Sequence, residues 1–267
     1  MLSPASFFNL EEFNHRELFH AGPKVWDALK GLKSYMANYS YPDLSKVLPK
    51  NGEPLTRTIV IYGREILTAD EELEIVFGDA PKGELLVRRQ GEILAGASVL
   101  MAGASFLGHQ IGIGQGVLVE PGAMICAPTI IDDRTVVRQG AYVRGNCLFG
   151  KRCVVGHTTE VKHAIFLDDA KAGHFAYLGD SILGNDANLG AGTKMANLKF
   201  TPGNVLVKTS GGLKDSGLRK LGAIVGDGVQ TGCNSVTNPG TLLGPGTMLL
   251  PNTTSPPGLH GPRTIIR

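Results

Sequence analysis

No CxxC pair occurs among the four cysteines, Cys126, Cys147, Cys153 and Cys233. Their spacing encodes neither a zinc knuckle nor a redox pair, and Cys147 and Cys153 are expected to act as compact apolar packing residues. There is one tryptophan, aromatics make up 6% of the chain, and no basic run or RNA-binding signature appears. With a formal net charge of only +2, nucleic acid is not an expected partner. The opening MLSPASFFNLEEF carries acids and lacks a basic start leading into an apolar run, so it is not a secretory signal, and a reduced, cytoplasmic setting is expected. From Ile93 to Val119 charge is missing altogether, long enough for a membrane span. That stretch carries six glycines together with Ser98, Ser105, His109, Gln110 and Gln115, so buried coils, not a bilayer, are the expectation.

What the chain does have is a period of six. Apolar residues stand at Ile113, Val119, Ile125, Ile131, Val137, Val143, Phe149, Val155 and Val161, and small ones follow four places later at Val117, Ala123, Thr129, Thr135, Ala141, Cys147, Cys153 and Thr159. A period of six fits neither an amphipathic helix nor an alternating strand; it fits short flat segments that turn a corner every six residues, three to a coil. The expected fold is an all-β solenoid, and thirty-six glycines not spaced at every third place suit its tight corners. The rhythm falters near Lys171, returns at Tyr177, Leu183, Leu189 and Met195, and resumes in the same phase at Val225, Thr231, Thr237, Leu243 and Leu249. The intervening polar run over 198–216 reads as an inserted loop, either functional or a tolerated surface excursion. Residues 1–90 lack the hexad. Pro23 and KVWDALKGLKSYM predict one helix, and Thr58–Tyr62 and Leu85–Val87 predict strands. This region is assigned as a small α/β N-terminal cap over the open end of a solenoid at 91–254, with 255–267 as a C-terminal tail.

Residues eighteen apart should stack one above another at about 4.8 Å. Arg144 and Lys162 form such a pair, each one place after an inward valine. Two cations so placed repel by roughly 3 kcal/mol at an effective dielectric near 20, and a phosphate between them reverses that cost, unless both side chains splay into water. His174 stands where the rhythm slips, in AKAGHFAYLGDS, and is a candidate proton acceptor near neutral pH.

The run EVKHAIFLDDAKAGHFAYLGDSILGNDANLGAGTKMAN, residues 160–197, resembles the active-site segment of the left-handed β-helix acetyltransferase domain of the bifunctional glucosamine-1-phosphate acetyltransferase/uridylyltransferase family. GLRKLGAIVGDGVQTGCNSVTNPGTLLGPGTMLLPN, residues 217–252, resembles its archaeal-type branch. The resemblance implies a left-handed parallel β-helix of hexapeptide repeats and an acetyl-CoA-dependent N-acetyltransferase of an amino-sugar phosphate such as glucosamine 1-phosphate. His174 would be the general base. Arg144, Lys162, Tyr177, Asn188 and Asn197 would contact the sugar phosphate, while Ala191 and Cys233 would lie against acetyl-CoA. It further implies a homotrimer whose clefts are completed by neighbouring subunits, and no required metal.

Departures are visible. MANLKFTPGN stands where bifunctional relatives carry a CNYDG turn and a substrate lysine, leaving Lys199 and Lys208 as the available lysines. A pyrophosphorylase nucleotide loop is not found in these residues, and GIGQG at 112–116 lies inside the hexads with no helix after it, so uridylyl transfer is not expected of them. Two alternatives stand beside the acetyltransferase: a non-catalytic sugar-nucleotide-binding or scaffolding solenoid, and a trimeric carbonic-anhydrase-type metalloenzyme using His157 and His163, six residues apart with no third partner evident.

Overall fold

The structure, a computed structural model, describes residues 2–49, 51–68 and 72–267. The hexads fold into a parallel β-solenoid with three faces. The chain runs from face B (Leu118–Val119) to face A (Met124–Cys126), then to face C (Thr129–Ile131), and returns to B at Val136–Val137. Parallel pairing of each strand with its equivalents on the neighbouring coils stacks the inward residues in ladders, such as Ile125, Val143, Val161, Leu178 and Met195 on face A. All five are fully buried. The small partners fill the corners, where Thr135 Oγ1 donates to the Gly150 carbonyl and accepts from the Cys153 amide, and so satisfies backbone groups that a corner would otherwise strand. Cys147, wholly buried beside them, has its thiol pushed up to about 12 by that burial, which suits packing and not reactivity.

The slip in rhythm lies earlier than the sequence suggests. Val143 pairs with Val161, eighteen residues on, but Phe149 pairs with Phe166, seventeen on, so the missing residue is at the corner of Lys162 and His163, not near Lys171. A full corner there uses two left-handed residues, Gly145 (φ 82°) and Asn146 (φ 50°); the shortened one uses His163 alone (φ 49°). The next coil repeats the economy with Asp180 (φ 48°). Histidine and aspartate are among the side chains that enter this region most readily. Because of the shift, Leu178 takes the inward place expected of Tyr177, and Tyr177 points outward.

The same A–C corner takes the large insertion. Met195 ends a face A strand and Ala223 begins the next face C strand, and between them a hairpin of Leu206–Thr209 and Gly212–Asp215 folds back onto face C. Leu183 pairs directly with Val225, so the ladders continue undisturbed.

Face C is covered, and face B over its first coils. The apolar outer side of face C, including Ile130, Leu148, Ile165 and Ile182, packs against Trp26, Leu29, Leu32 and Met36 of the helical region and against Val205 and Val207 of the hairpin. The predicted helix is present as α1, Asp27–Asn38, but it lies along this side and not over the end. The end is closed by antiparallel strands: Asn51–Pro54 on Ser105–Leu107, and Ile59–Tyr62 on Ser98–Leu100. On face B, Val99, Leu118, Val136 and Val154 are buried under Leu67, Val87 and Leu94. Residues 255–267 are not a tail: Gly258–His260 and Ile265–Ile266 extend faces C and B. The outer side of face A keeps Leu107 and Tyr142 exposed. Among the described residues no helix is long and apolar enough to cross a membrane.

Candidate functional site

Arg144 and Lys162 stand on adjacent rungs of face A at its border with face C, since Val143 lies opposite Val161 and Lys162 opposite Gly179. Their mutual repulsion is already offset within the chain. Arg144 Nη1 donates to Glu160 Oε1 at 2.7 Å, which holds the guanidinium more firmly charged, and its cationic carbon lies 5.8 Å over the Tyr142 ring. Lys162 Nζ lies 3.5 Å from Asp180 Oδ2. An anion is therefore not needed to settle the pair, although both side chains remain partly open, at 41% and 30% exposure.

Asp180 is nearly buried, and its Oδ2 also accepts from Asn197 Nδ2 at 2.6 Å. Tyr177 reaches toward the same spot. Its hydroxyl is pushed up by burial, then by the charges of Glu160 and Asp180, and its hydrogen bond with Asn197 pulls the other way. Gly179 makes this close approach possible: a Cβ there would collide with the Asn197 amide and come within 2.7 Å of Tyr177 Oη. Arg144, Lys162, Tyr177, Asp180 and Asn197 thus form one polar cluster at the A–C edge.

His174 lies at the opposite edge of face A, where the chain turns in from face B. It ends the strand Lys171–His174 opposite His157, is exposed, and has Phe175 as its ring neighbour, with centroids 6.3 Å apart. Continuing that register places Ala191 one rung beyond His174 and Cys233 one beyond that, because Ala172 pairs with Leu189 and Leu189 with Thr231. The Gly192 amide donates to the His174 carbonyl at 3.0 Å and the Asn234 amide to the Ala191 carbonyl at 2.8 Å. Ala191 is half-buried and Cys233 exposed. Small side chains leave this ladder accessible along its backbone.

The structure does not bring every expected residue together. Asn188 sits on face B, bonded to Gln230 Oε1 at 3.2 Å, away from Tyr177 and Asn197. Lys199 Nζ bonds to Pro202 within its own loop, and Lys208 belongs to the hairpin. His157 donates from Nδ1 to the Gln139 carbonyl and pairs through Nε2 with the Thr158 hydroxyl at the B–A edge, whereas His163 donates to the Leu29 carbonyl at the A–C edge. Those two histidines share no ligand set, and among the described residues no group of three His, Cys, Asp or Glu converges for a metal. Sequence reasoning missed Glu160 and Asp180. The signal for Asp180 was present as the last residue of AGHxxYLGD, seventeen residues before Asn197 and eighteen after Lys162.

The family described as GMPPB C-terminal domain matches residues 125–245. A bifunctional sugar-1-phosphate nucleotidylyltransferase/acetyltransferase from Sulfurisphaera tokodaii is 39% identical over 100 residues, 38% of this chain and 25% of that protein. The bifunctional protein GlmU of Methanococcus vannielii is 39% identical over 100 residues, 38% of this chain and 24% of its own. GlmU of Wigglesworthia glossinidia brevipalpis is 28% identical over 155 residues, 51% and 33% of the two chains. The matched part of the chain thus spans a quarter to a third of these relatives. Among solved structures, PerB from Caulobacter crescentus in complex with CoA and GDP-perosamine aligns at 22% identity over 45% of this chain and 57% of its own, with a TM-score of 0.31.

Proposed function

We propose that the chain is an acetyl-CoA-dependent N-acetyltransferase of a phosphorylated amino sugar, of which glucosamine 1-phosphate is the first candidate. The observation that carries this reading is the pair of clusters on the exposed outer side of face A. One edge holds two cations, a phenol and an amide suited to a sugar phosphate, and the other holds an exposed imidazole at the foot of a ladder of small residues. Similarity to bifunctional nucleotidylyltransferase/acetyltransferases supports it.

In this reading the phosphate is bound by Arg144 and Lys162, whose ion pairs with Glu160 and Asp180 open or widen to admit it. Tyr177 and Asn197 hold sugar hydroxyls. The His174 imidazole takes the proton as the amine nitrogen bonds to the thioester carbonyl carbon. When the tetrahedral species collapses, the C–S bond breaks and the same proton goes to the departing thiolate, so the products are the N-acetyl sugar phosphate and CoA. Ala191 and Cys233 line the approach of the pantetheine arm. The bare outer side of face A favours a homotrimer in which a second copy closes the cleft and supplies Asn188, which one chain holds on a different face.

Thiol release from acetyl-CoA in the presence of glucosamine 1-phosphate tests the reading. Acetylation that requires both substrates is the expected result; saturable binding of the sugar phosphate with no turnover by wild-type protein favours the non-catalytic binding module instead.

A further inference from the structure

His163 occupies the one-residue corner directly after Lys162, and its ring is largely buried, 16% exposed at the side chain. Its Nε2 lies 2.9 Å from the carbonyl oxygen of Leu29, so that nitrogen carries the hydrogen and donates. Nδ1 faces Asp180 Oδ1 at 3.8 Å, while Asp180 Oδ2 takes Asn197 Nδ2 at 2.6 Å and stands 3.5 Å from Lys162 Nζ. Leu29 belongs to α1, packed on face C. Leu29, 134 residues away in sequence, thus fixes the His163 ring, whose Nδ1 stands beside the carboxylate that meets the two groups at the phosphate-binding end of face A, a contact that becomes an ion pair when the ring takes a proton.

We propose that His163 and Asp180 are positioning residues, which fix Lys162 and Asn197 by anchoring them to the docked helix α1. The inference rests on the reading of Lys162 and Asn197 as sugar-phosphate contacts. Neither His163 nor Asp180 need touch substrate. Asp180 orients the buried Asn197 amide, which donates to it at 2.6 Å, and an ammonium that otherwise swings into water, and the buried His163 ring beside it limits where the carboxylate can move. The charged groups around the His163 ring are Asp180, Lys162 and, from α1, Lys33.

The test uses the full chain with Asp180→Asn, His163→Ala and His163→Gln. Asp180→Asn and His163→Ala should raise KM for glucosamine 1-phosphate about tenfold while KM for acetyl-CoA stays within about twofold, because a small misplacement of a binding group is costly. His163→Gln, whose amide can still donate to the Leu29 carbonyl, should recover most of the loss. A merely structural role would lower the melting temperature without separating the two KM values, and equal changes in both, or none, overturn the proposal. The His163 ring titration, followed by NMR, separates the bridge from the function: removing the Asp180 charge should move it to lower pH. If wild-type protein neither binds nor acetylates glucosamine 1-phosphate, the functional reading and the positioning role fall together, and a shifted titration shows that the bridge alone survives. An unshifted titration overturns the bridge.

Discussion

Glu160 holds Arg144 at 2.7 Å from the strand one rung away, so the cation assigned to phosphate is already engaged before any ligand arrives. An exposed pair of this kind contributes little to stability, but a ligand has to compete with it. Glu160→Gln should therefore lower KM for the phosphorylated sugar by a few-fold with an unchanged melting temperature, and Arg144→Ala should raise it by about ten- to a hundredfold, the range of one charge-assisted hydrogen bond. Steady-state kinetics at two salt concentrations measures both; a Glu160→Gln variant with weaker phosphate binding contradicts the competition.

His174 is exposed and outside the core. His174→Ala should cost about a hundredfold or more in kcat, the usual weight of a general base, and shift thermal unfolding by under about 1 degree. Wild-type turnover in the variant removes the imidazole from the mechanism.

Gly179 is the floor between Tyr177 and Asn197. A methyl group there meets the amide and the hydroxyl, so Gly179→Ala must displace at least one of them. The expected outcome is a rise in KM for the sugar phosphate with destabilisation of about 1–3 kcal/mol by denaturant unfolding, because the Asn197 amide is tied to Asp180 and the Tyr177 hydroxyl ends a rigid ring.

The buried His163 gives stability a pH dependence. Burial is the largest influence on its ring and lowers its pKa, with Asp180 pulling upward and Lys162 and Lys33 downward. The folded state thus binds the proton less readily than the unfolded chain. The contribution is complete above the unfolded value of about 6.5 and is lost as pH falls through the lower folded value. Melting temperature recorded from pH 8 to pH 5 should drop less in His163→Gln than in the wild type; parallel curves exclude this origin.

Covering of face C can be probed at Trp26, which is fully buried. Trp26→Ala should destabilise by about 3–5 kcal/mol and bare the apolar strip formed by Leu148, Ile165 and Ile182, promoting association. Denaturant midpoints and light scattering report the two effects.

The solenoid is legible in the sequence because a six-residue period repeated over many coils is a global signal that no single residue can spoil. Where the period changes, legibility fails for a physical reason. A corner that drops one residue shifts the phase of everything after it, and local pattern alone cannot say which corner shrank; hence the hexad count puts Tyr177 inward although Leu178 takes that place. The cation pair is legible as a stacking, but its carboxylate partners are not. Glu160 and Asp180 depend on side-chain reach across rungs, and the sequence distance of sixteen or eighteen residues has no meaning until the coil length is known. The side-lying helix passes for an end cover because amphipathicity tells that a face is buried, not which surface buries it. Asn188 likewise has the right motif but a face that one chain cannot bring to Tyr177.

The A–C corner is the seam of this prism. The one-residue deletions, at His163, at Asp180 and between Ser255 and Gly258, and the hairpin excursion all lie there, and strands on either side keep their pairing across each of them. Length can be traded at that seam without rethreading the rest, so it is the place where a loop could be grafted or trimmed to retune what the protein accepts, while the ladders that hold the molecule together never register the change.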